Sequence, residues 1–320
     1  MNTLSTVVVI GGSGFIGSHL CELLLNMECR VYCVDNFATS GAHNVAHIAD
    51  RPGFTLIEHD INEVLDLPGR VELVVNLASL PSPVDYLARP VETLRVGSLG
   101  ALNALDFARV KGARCVYASS SEVYGDPSVH PQTESYHGNV NPMGPRCSYD
   151  ESKRFGEAAC EAYRNVYDVD TVVLRIFNTY GRRMRAQDGR LVPTFIQQAL
   201  ADRPITVHGT GRQTRSLCHV DDTVNALLKA AMARHPGPLN IGNPDELTVV
   251  AIAELIRELC GSRSPIQHLE ARHEDPARRR PDISLARRAL GWEPRVNLRT
   301  GLVETIAWFA DNSSMATTNL

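Results

Sequence analysis

Tyr149 and Lys153 stand one helical turn apart in a segment whose apolar spacing predicts a helix, so both side chains emerge on one face. That arrangement has a chemical use. A phenol with an ordinary pKa of ~10 is a poor base at neutral pH, but a cation one turn away favours the phenolate. Tyr149 could then take the proton of a hydroxyl while hydride leaves the same carbon. Tyr-x-x-x-Lys by itself adorns many surface helices. Here the strand predicted before it ends in Ser119-Ser120-Ser121, hydroxyls placed to hold the same oxygen.

A leaving hydride needs an acceptor. The first predicted strand runs directly into Gly11-Gly12-Ser13-Gly14-Phe15-Ile16-Gly17 and then into a helix. Glycines let the backbone turn tightly and approach a pyrophosphate, whose charge is met by free N–H groups at the helix N-terminus. The run satisfies both G-x-G-x-x-G, through Gly12, Gly14 and Gly17, and G-x-x-G-x-x-G, through Gly11, Gly14 and Gly17, so spacing leaves the subfamily open. The second strand ends at Asp35, near the offset of about 20 residues at which an acid receives the ribose hydroxyls of NAD. An acid there repels the extra phosphate of NADP, and the following Asn36 and Phe37 bring no arginine to attract it. NAD is the expected cofactor. Asp60, after the third strand, either faces the adenine or closes a turn.

These residues need elements to hold them. Apolar runs alternate with helix-period segments from the N-terminus onward, the signature of βαβ units feeding a parallel sheet buried on both faces. Strands are predicted at Thr6 to Ile10, Arg30 to Asp35, Phe54 to Glu58, Glu72 to Asn76, Arg114 to Ala118 and Thr171 to Ile176. Helices are predicted at Phe15 to Leu25, Val91 to Val110 and Ser148 to Tyr167. After Phe177, helical stretches at Leu191 to Ala201, Asp221 to Met232 and Val249 to Leu259 are separated by loops bearing Pro and Gly. The expected fold class is therefore α/β, a doubly wound parallel sheet with a smaller, interrupted C-terminal domain. The division expected is 1–177 for the cofactor, with a returning segment at about 217–240; 178–216 and 241–311 for the substrate; and 312–320 as a fraying polar tail.

Composition narrows the classes. The chain has 320 residues, 43% of them hydrophobic, enough for a sizeable core. Its formal charge of -4, from 36 acidic and 32 basic residues, offers no basic stripe for nucleic acid. Neither a leader nor an apolar run of about 20 residues is visible, so a cytoplasmic protein without a membrane partner is expected. The eight cysteines lack paired spacing, and no His/Cys/carboxylate cluster suggests a metal.

Taken together, the glycine loop, the strand-end serine and Tyr149-x-x-x-Lys153 resemble the extended short-chain dehydrogenase/reductase family over about residues 6–310. Six further islands, in order, are most similar to its UDP-glucuronate decarboxylase group. They are Pro81-Ser82-Pro83-Val84-Asp85-Tyr86-Leu87, Ser121-Glu122-Val123-Tyr124-Gly125-Asp126-Pro127, His130-Pro131-Gln132-Thr133-Glu134, Phe177-Asn178-Thr179-Tyr180-Gly181, Gln213-Thr214-Arg215-Ser216 and Gly242-Asn243-Pro244. The resemblance implies oxidation at C4 by bound NAD, loss of CO2 from the resulting keto acid, and re-reduction to UDP-xylose. It implies Ser120, Glu122, Tyr149 and Lys153 as catalytic residues, with Glu122 orienting the ring and handling the C5 proton directly or through water. It implies Gly11, Gly14, Phe15, Ile16, Gly17, Asp35, Asn36, Asp60, Ile61 and Ala78, with Tyr149 and Lys153, around NAD. Around the UDP-sugar it implies Pro83, Tyr86, Ser121, Asn178, Val192, His208, Arg215 and Arg279, the last meeting the diphosphate or the uridine ribose. A homodimer through the helices at Val91 to Val110 and Ser148 to Tyr167 is also implied.

This chain leaves the group's pattern at Ser120, where threonine is expected, at Leu217 for phenylalanine, at His219 for tyrosine and at Arg182 for proline. Those changes bear on nucleotide and sugar preference. Three rival readings share the scaffold. A nucleotide-sugar 4-epimerase would have to protect the keto acid, which Glu122 argues against. A 4,6-dehydratase needs an Asp-Glu pair at this strand end, where Ser121 stands instead of the acid. An NAD-binding sensor without activity predicts erosion of the Tyr/Lys pair, which is intact.

Overall fold

Runs of β-branched residues such as Thr6-Val7-Val8-Val9-Ile10 form strands because both faces of the pleat can be buried, and here Val7, Val8 and Val9 are fully enclosed. In the computed structural model, residues 4–271 and 277–312 are described. The strands in chain order are β1 (Thr6–Ile10), β2 (Arg30–Asp35), β3 (Phe54–Glu58), β4 (Leu73–Asn76), β5 (Arg114–Ser120), β6 (Thr171–Ile176), β7 (Thr179–Tyr180), β8 (Ile205–His208), β9 (Thr214–Ser216), β10 (Cys218–His219), β11 (Leu239–Ile241), β12 (Glu246–Thr248), β13 (Ile266–Leu269) and β14 (Arg278–Arg279). The helices are α1 (Phe15–Asn26), α2 (Pro83–Ala88), α3 (Pro90–Lys111), α4 (Cys147–Tyr167), α5 (Leu191–Leu200), α6 (Val220–Met232), α7 (Val249–Leu259), α8 (Ser284–Leu290) and α9 (Leu298–Asn312).

The main sheet is seven-stranded and parallel, in the order β3-β2-β1-β4-β5-β6-β11. This is the expected doubly wound α/β fold. One apolar core lies between the sheet and α1, α6 and α8, with Leu20, Leu24, Leu227, Ala286 and Trp292 buried in it. Another lies on the opposite face under α3 and α4, around Ala104, Leu105, Ala159 and Cys160. A third cluster, with Tyr180, Ile196, Ile252 and Leu302, joins α5, α7 and α9. Two details of the main sheet differ from the sequence reading. β5 runs on to Ser120, its last two residues pairing with Arg175 and Ile176 of β6. The seventh strand, β11, returns to the sheet edge with only three residues, too few to show a period of their own. Asn312 closes α9, and the rest of the expected tail lies outside the described residues.

α4 is the element that matters most for chemistry. Its buried positions, Tyr149, Ser152, Lys153, Gly156 and Cys160, recur at helical spacing, and Asp168 ends it in the left-handed conformation. At Gly156 the helix passes so near β5 that a Cβ would stand 2.0 Å from the Tyr117 hydroxyl. That close approach sets Tyr149 and Lys153 over the end of β5.

Candidate active site

Between β1 and β4 the strand order reverses, and there the carboxyl ends of the strands open into one cleft of about 610 Å³. At its β1 end the N–H groups of Gly11 and Gly12 donate to the Val34 carbonyl at 2.8 and 3.2 Å, tying the loop to β2. α1 begins at Phe15 with no side chain capping Gly14, so its first N–H groups remain available to an anion. A Cβ at Gly17 would meet the Gly11 carbonyl oxygen at 2.2 Å, so only glycine lets helix and loop lie this close. That cradle fits the pyrophosphate of NAD. Phe15, Ile16, Asn36, Ile61 and Ala78 border the same end.

Asp35, at the end of β2, accepts from the backbone N–H of Ser13 (3.0 Å) and of Phe37 (2.9 Å) and from the Ser40 hydroxyl (2.9 Å). Three donors fix its carboxylate beside the glycine loop. Asp60 closes a turn by accepting from the Asn62 N–H at 2.9 Å, and it also borders the cleft.

At the β5 end, Ser120 caps the short 3₁₀ turn Ser121–Tyr124, its hydroxyl accepting from the Glu122 N–H at 3.2 Å. Ser119 is engaged elsewhere: its hydroxyl donates to Glu157 at 2.5 Å. Tyr149 stacks on Tyr86 of α2, with centroids 5.4 Å apart and planes 16° from parallel. α2 is itself pinned where Ser82 caps its start and donates to the Asp188 carbonyl. Lys153 donates to the Ala118 carbonyl at 2.8 Å, and its Nζ lies 5.9 Å from the Tyr149 ring centre. Burial pushes the Lys153 amine down to about 8. Burial also pushes the Tyr149 phenol up to about 12, the hydrogen bond with Ser120 being the largest pull the other way. The sequence reading has a cation one turn away favour the phenolate; in the structure the Lys153 ammonium donates to a strand carbonyl, and desolvation raises the phenol.

Glu122 faces the cleft in a clamp of two arginines. Both terminal nitrogens of Arg279 donate to it, Nη2 to Oε2 at 3.0 Å and Nη1 to Oε1, and Arg146 Nη2 donates to Oε2. Although burial opposes ionisation, the charges of Arg279 and Arg146 hold the carboxyl down at about 2. Arg279, which the resemblance places at the diphosphate or the uridine ribose, borders the cleft and has its guanidinium on Glu122. Arg146 was missed altogether. Its signal was present, since it lies one turn before Tyr149, but a basic residue ahead of a helix is commonplace until a partner is known.

Pro83, Ser121, Asn178, Val192, His208 and Arg215 also border the cleft. Val192 is packed in the α5–α7–α9 cluster, and His208 Nδ1 lies 2.9 Å from the Glu270 carbonyl. The Arg215 Nη1 donates to the Thr214 carbonyl at 2.8 Å. Of the departures, Leu217 borders the cleft, whereas His219 and Arg182 do not. His219 is buried, caps α6 by accepting from the Asp221 N–H at 3.3 Å, and meets Tyr180 edge-on at 5.4 Å. No group of three or more metal-ligating side chains occurs among the described residues.

Residues 7–242 match the model of the NAD dependent epimerase/dehydratase family. A relative named UDP-glucuronic acid decarboxylase 1, from Danio rerio, is 47% identical over 304 residues, which are 95% of this chain and 72% of that one. UDP-glucuronic acid decarboxylase 6 from Arabidopsis thaliana is 46% identical over 297 residues, 92% of this chain and 86% of that one. Among solved structures, UDP-glucuronic acid 4-epimerase from Bacillus cereus in complex with UDP-glucuronic acid and NAD aligns with a TM-score of 0.84 at 26% identity, covering 96% of this chain and 99% of that one.

Proposed function

Because the chain belongs to the NAD-dependent epimerase/dehydratase family, we propose that its cleft oxidises a UDP-hexuronate at C4 and releases the C6 carboxylate as CO2. The protein is a UDP-glucuronate decarboxylase: it converts UDP-glucuronate to UDP-xylose, as the relatives at 43–47% identity support. Held by the glycine loop, Asp35 and Lys153, NAD would supply a hydride acceptor and donor at C4 and would not be consumed.

The chain's own residues do the rest. Ser120 holds the C4 oxygen, and Tyr149 takes its proton as the C4–H bond gives up hydride. The resulting ketone is β to the carboxylate, so the electron pair left when the C5–C6 bond breaks is delocalised as an enolate. Glu122, kept ionised by its arginines, is a poor acid; it orients the water that protonates C5. Tyr149 then returns its proton to the C4 oxygen as the ketone is reduced. Lys153 holds the nicotinamide ribose and fixes the distance between α4 and β5. The UDP group lies against the lobe made by 178–216 and 241–311, with Asn178 and Arg215 toward its diphosphate and ribose and Val192 and His208 toward the base.

The observation carrying this reading is the position of Glu122, an ionised carboxylate in the cleft two residues beyond the Ser120 that partners Tyr149. The test is to incubate the purified protein with UDP-glucuronate and a trace of NAD and follow products by mass spectrometry and proton NMR. Release of CO2 with a UDP-pentose is expected. A product of unchanged mass with an axial C4 hydroxyl would make the chain a 4-epimerase and overturn the reading.

A homodimer in the cytosol belongs to the same proposal. α3 and α4 carry exposed Val91, Leu94, Val110, Phe155, Val166 and Tyr167, apolar surface that a second copy would cover. All eight cysteines are unpaired, which suits a reducing compartment. Among the described residues no helix is long and apolar enough to cross a membrane.

A further inference from the structure

Besides the three groups of the Glu122 clamp, a fourth titratable group is buried on α4 that the mechanism above does not use. Asp150 follows Tyr149 on α4, is 5% exposed, and its Oδ1 has no hydrogen-bond partner. It stands one helical turn after Arg146, with its N–H on the Arg146 carbonyl at 3.1 Å. Arg146, Arg279 and Glu122 border the cleft, whereas Asp150 does not. A buried carboxyl oxygen without a donor is costly as an anion and tolerable as a neutral acid.

The charge count gives this a consequence. Two arginines and one carboxylate leave the clamp with a single unbalanced positive charge, and an ionised Asp150 would cancel it. We propose that Asp150 is a positioning residue that, in its neutral form, leaves the Glu122–Arg146–Arg279 clamp one positive charge with which to receive the carboxylate of a uronic acid. This rests on the reading of the substrate as a UDP-hexuronate.

The groups whose charges act on Asp150, or that its charge acts on, come from several elements: Glu122 from the turn after β5, Arg279 from β14, Arg146 and Glu151 beside it in the chain, and the phenols of Tyr86 on α2 and Tyr149 on α4. Glu151 is itself paired with Arg154 at 3.6 Å. Burial and the charge of Glu122 raise the Asp150 carboxyl to about 7, against the pull of Arg146 and Arg279, which places its ionisation in the working range of pH. A bound uronate carboxylate and an ionised Asp150 disfavour each other reciprocally.

The decisive pair of ligands is UDP-glucuronate and UDP-xylose, which share every group except the carboxylate. Both are titrated calorimetrically into the NADH-loaded protein, where oxidation at C4 cannot begin, between about pH 6 and about pH 8.5. The affinity for UDP-glucuronate relative to UDP-xylose should fall about tenfold or more across that window, since a like charge within about 12 Å at an effective dielectric near 20 is worth at least that factor. In Asp150→Asn, locked neutral, the ratio should stay at its low-pH value. A flat ratio in the unsubstituted protein, or the same fall in the variant, would overturn the proposal; should the variant not fold, the unsubstituted protein decides alone. Absence of CO2 release by the NAD-loaded enzyme sinks the substrate reading underneath, whereas CO2 release with a flat ratio sinks only the role of Asp150.

Discussion

Tyr149 is subject to two influences of different range. Enclosure between Tyr86, Ser120 and Lys153 raises its phenol to about 12, while the Ser120 hydroxyl, in contact with it, favours the anion. The free chain therefore holds Tyr149 protonated at neutral pH, and proton removal must be coupled to hydride departure instead of preceding it. Replacing Tyr149 by Phe keeps the stack on Tyr86 and removes only the acid/base group, so kcat should fall by about 10²–10⁴-fold with NAD affinity preserved. Single-turnover assays alongside NAD titration check this. A fall confined to KM would instead mark the hydroxyl as a binding group.

Elements hold these residues through close approach as much as through apolar burial. α4 can lie on β5 because position 156 has no side chain, and a Cβ there would press on the buried Tyr117 hydroxyl. Gly156→Ala should destabilise the chain by about 1–3 kcal/mol, as overpacking does in rigid interiors. It should also lower kcat/KM, since the helix that must shift carries Tyr149 and Lys153. Urea denaturation and steady-state kinetics on the same preparation separate the two effects; full stability with full activity would show that α4 can give way freely. α1, α3 to α7 and the long strands were legible because their periods repeat over many residues, whereas α8 and α9 went unread. So did α2: its six residues are too few for a period, although Ser82 before Pro83 is the cap-and-first-turn pairing that starts helices.

At the scale of the whole molecule, the segment 292–296 is fastened to α6 by Asp222. Its carboxylate accepts from the N–H groups of Arg295 (2.9 Å) and Val296 (3.0 Å), and its carbonyl accepts from Trp292 Nε1 (3.0 Å). Asp222→Ala leaves both N–H groups without that acceptor and should cost about 1–3 kcal/mol, read as a lowered midpoint of chemical unfolding. The titrations also act on the fold as a unit. Glu122, held down at about 2 from 4.5, contributes stability that is present above pH 4.5 and lost as pH falls through about 2. Asp150, raised from 3.8 to about 7, contributes in the opposite sense: its share is present below pH 3.8 and lost as pH rises through about 7. Thermal melts across pH should therefore show Asp150→Asn gaining on the parent chain as pH rises from about 4 to about 7 and holding that gain above it. Parallel curves from pH 4 to pH 9 would contradict this.

What the sequence by itself determined is whatever depends on near neighbours along the chain. The alternation of strands and helices, the glycine loop with Asp35 one unit downstream, and Tyr149 one turn from Lys153 are all short-range patterns with fixed periods. The serine-bearing strand end and the catalytic pair could be joined because a βαβ unit brings strand ends to one edge. Only the tertiary structure decided the company that Glu122 keeps. Its partners stand 24 and 157 residues away, at Arg146 and Arg279, and no local period connects them. It also decided the charge states, since Glu122 is an anion, and the Asp150 carboxyl and Tyr149 phenol are raised, through burial and distant charges that a linear order of residues does not contain.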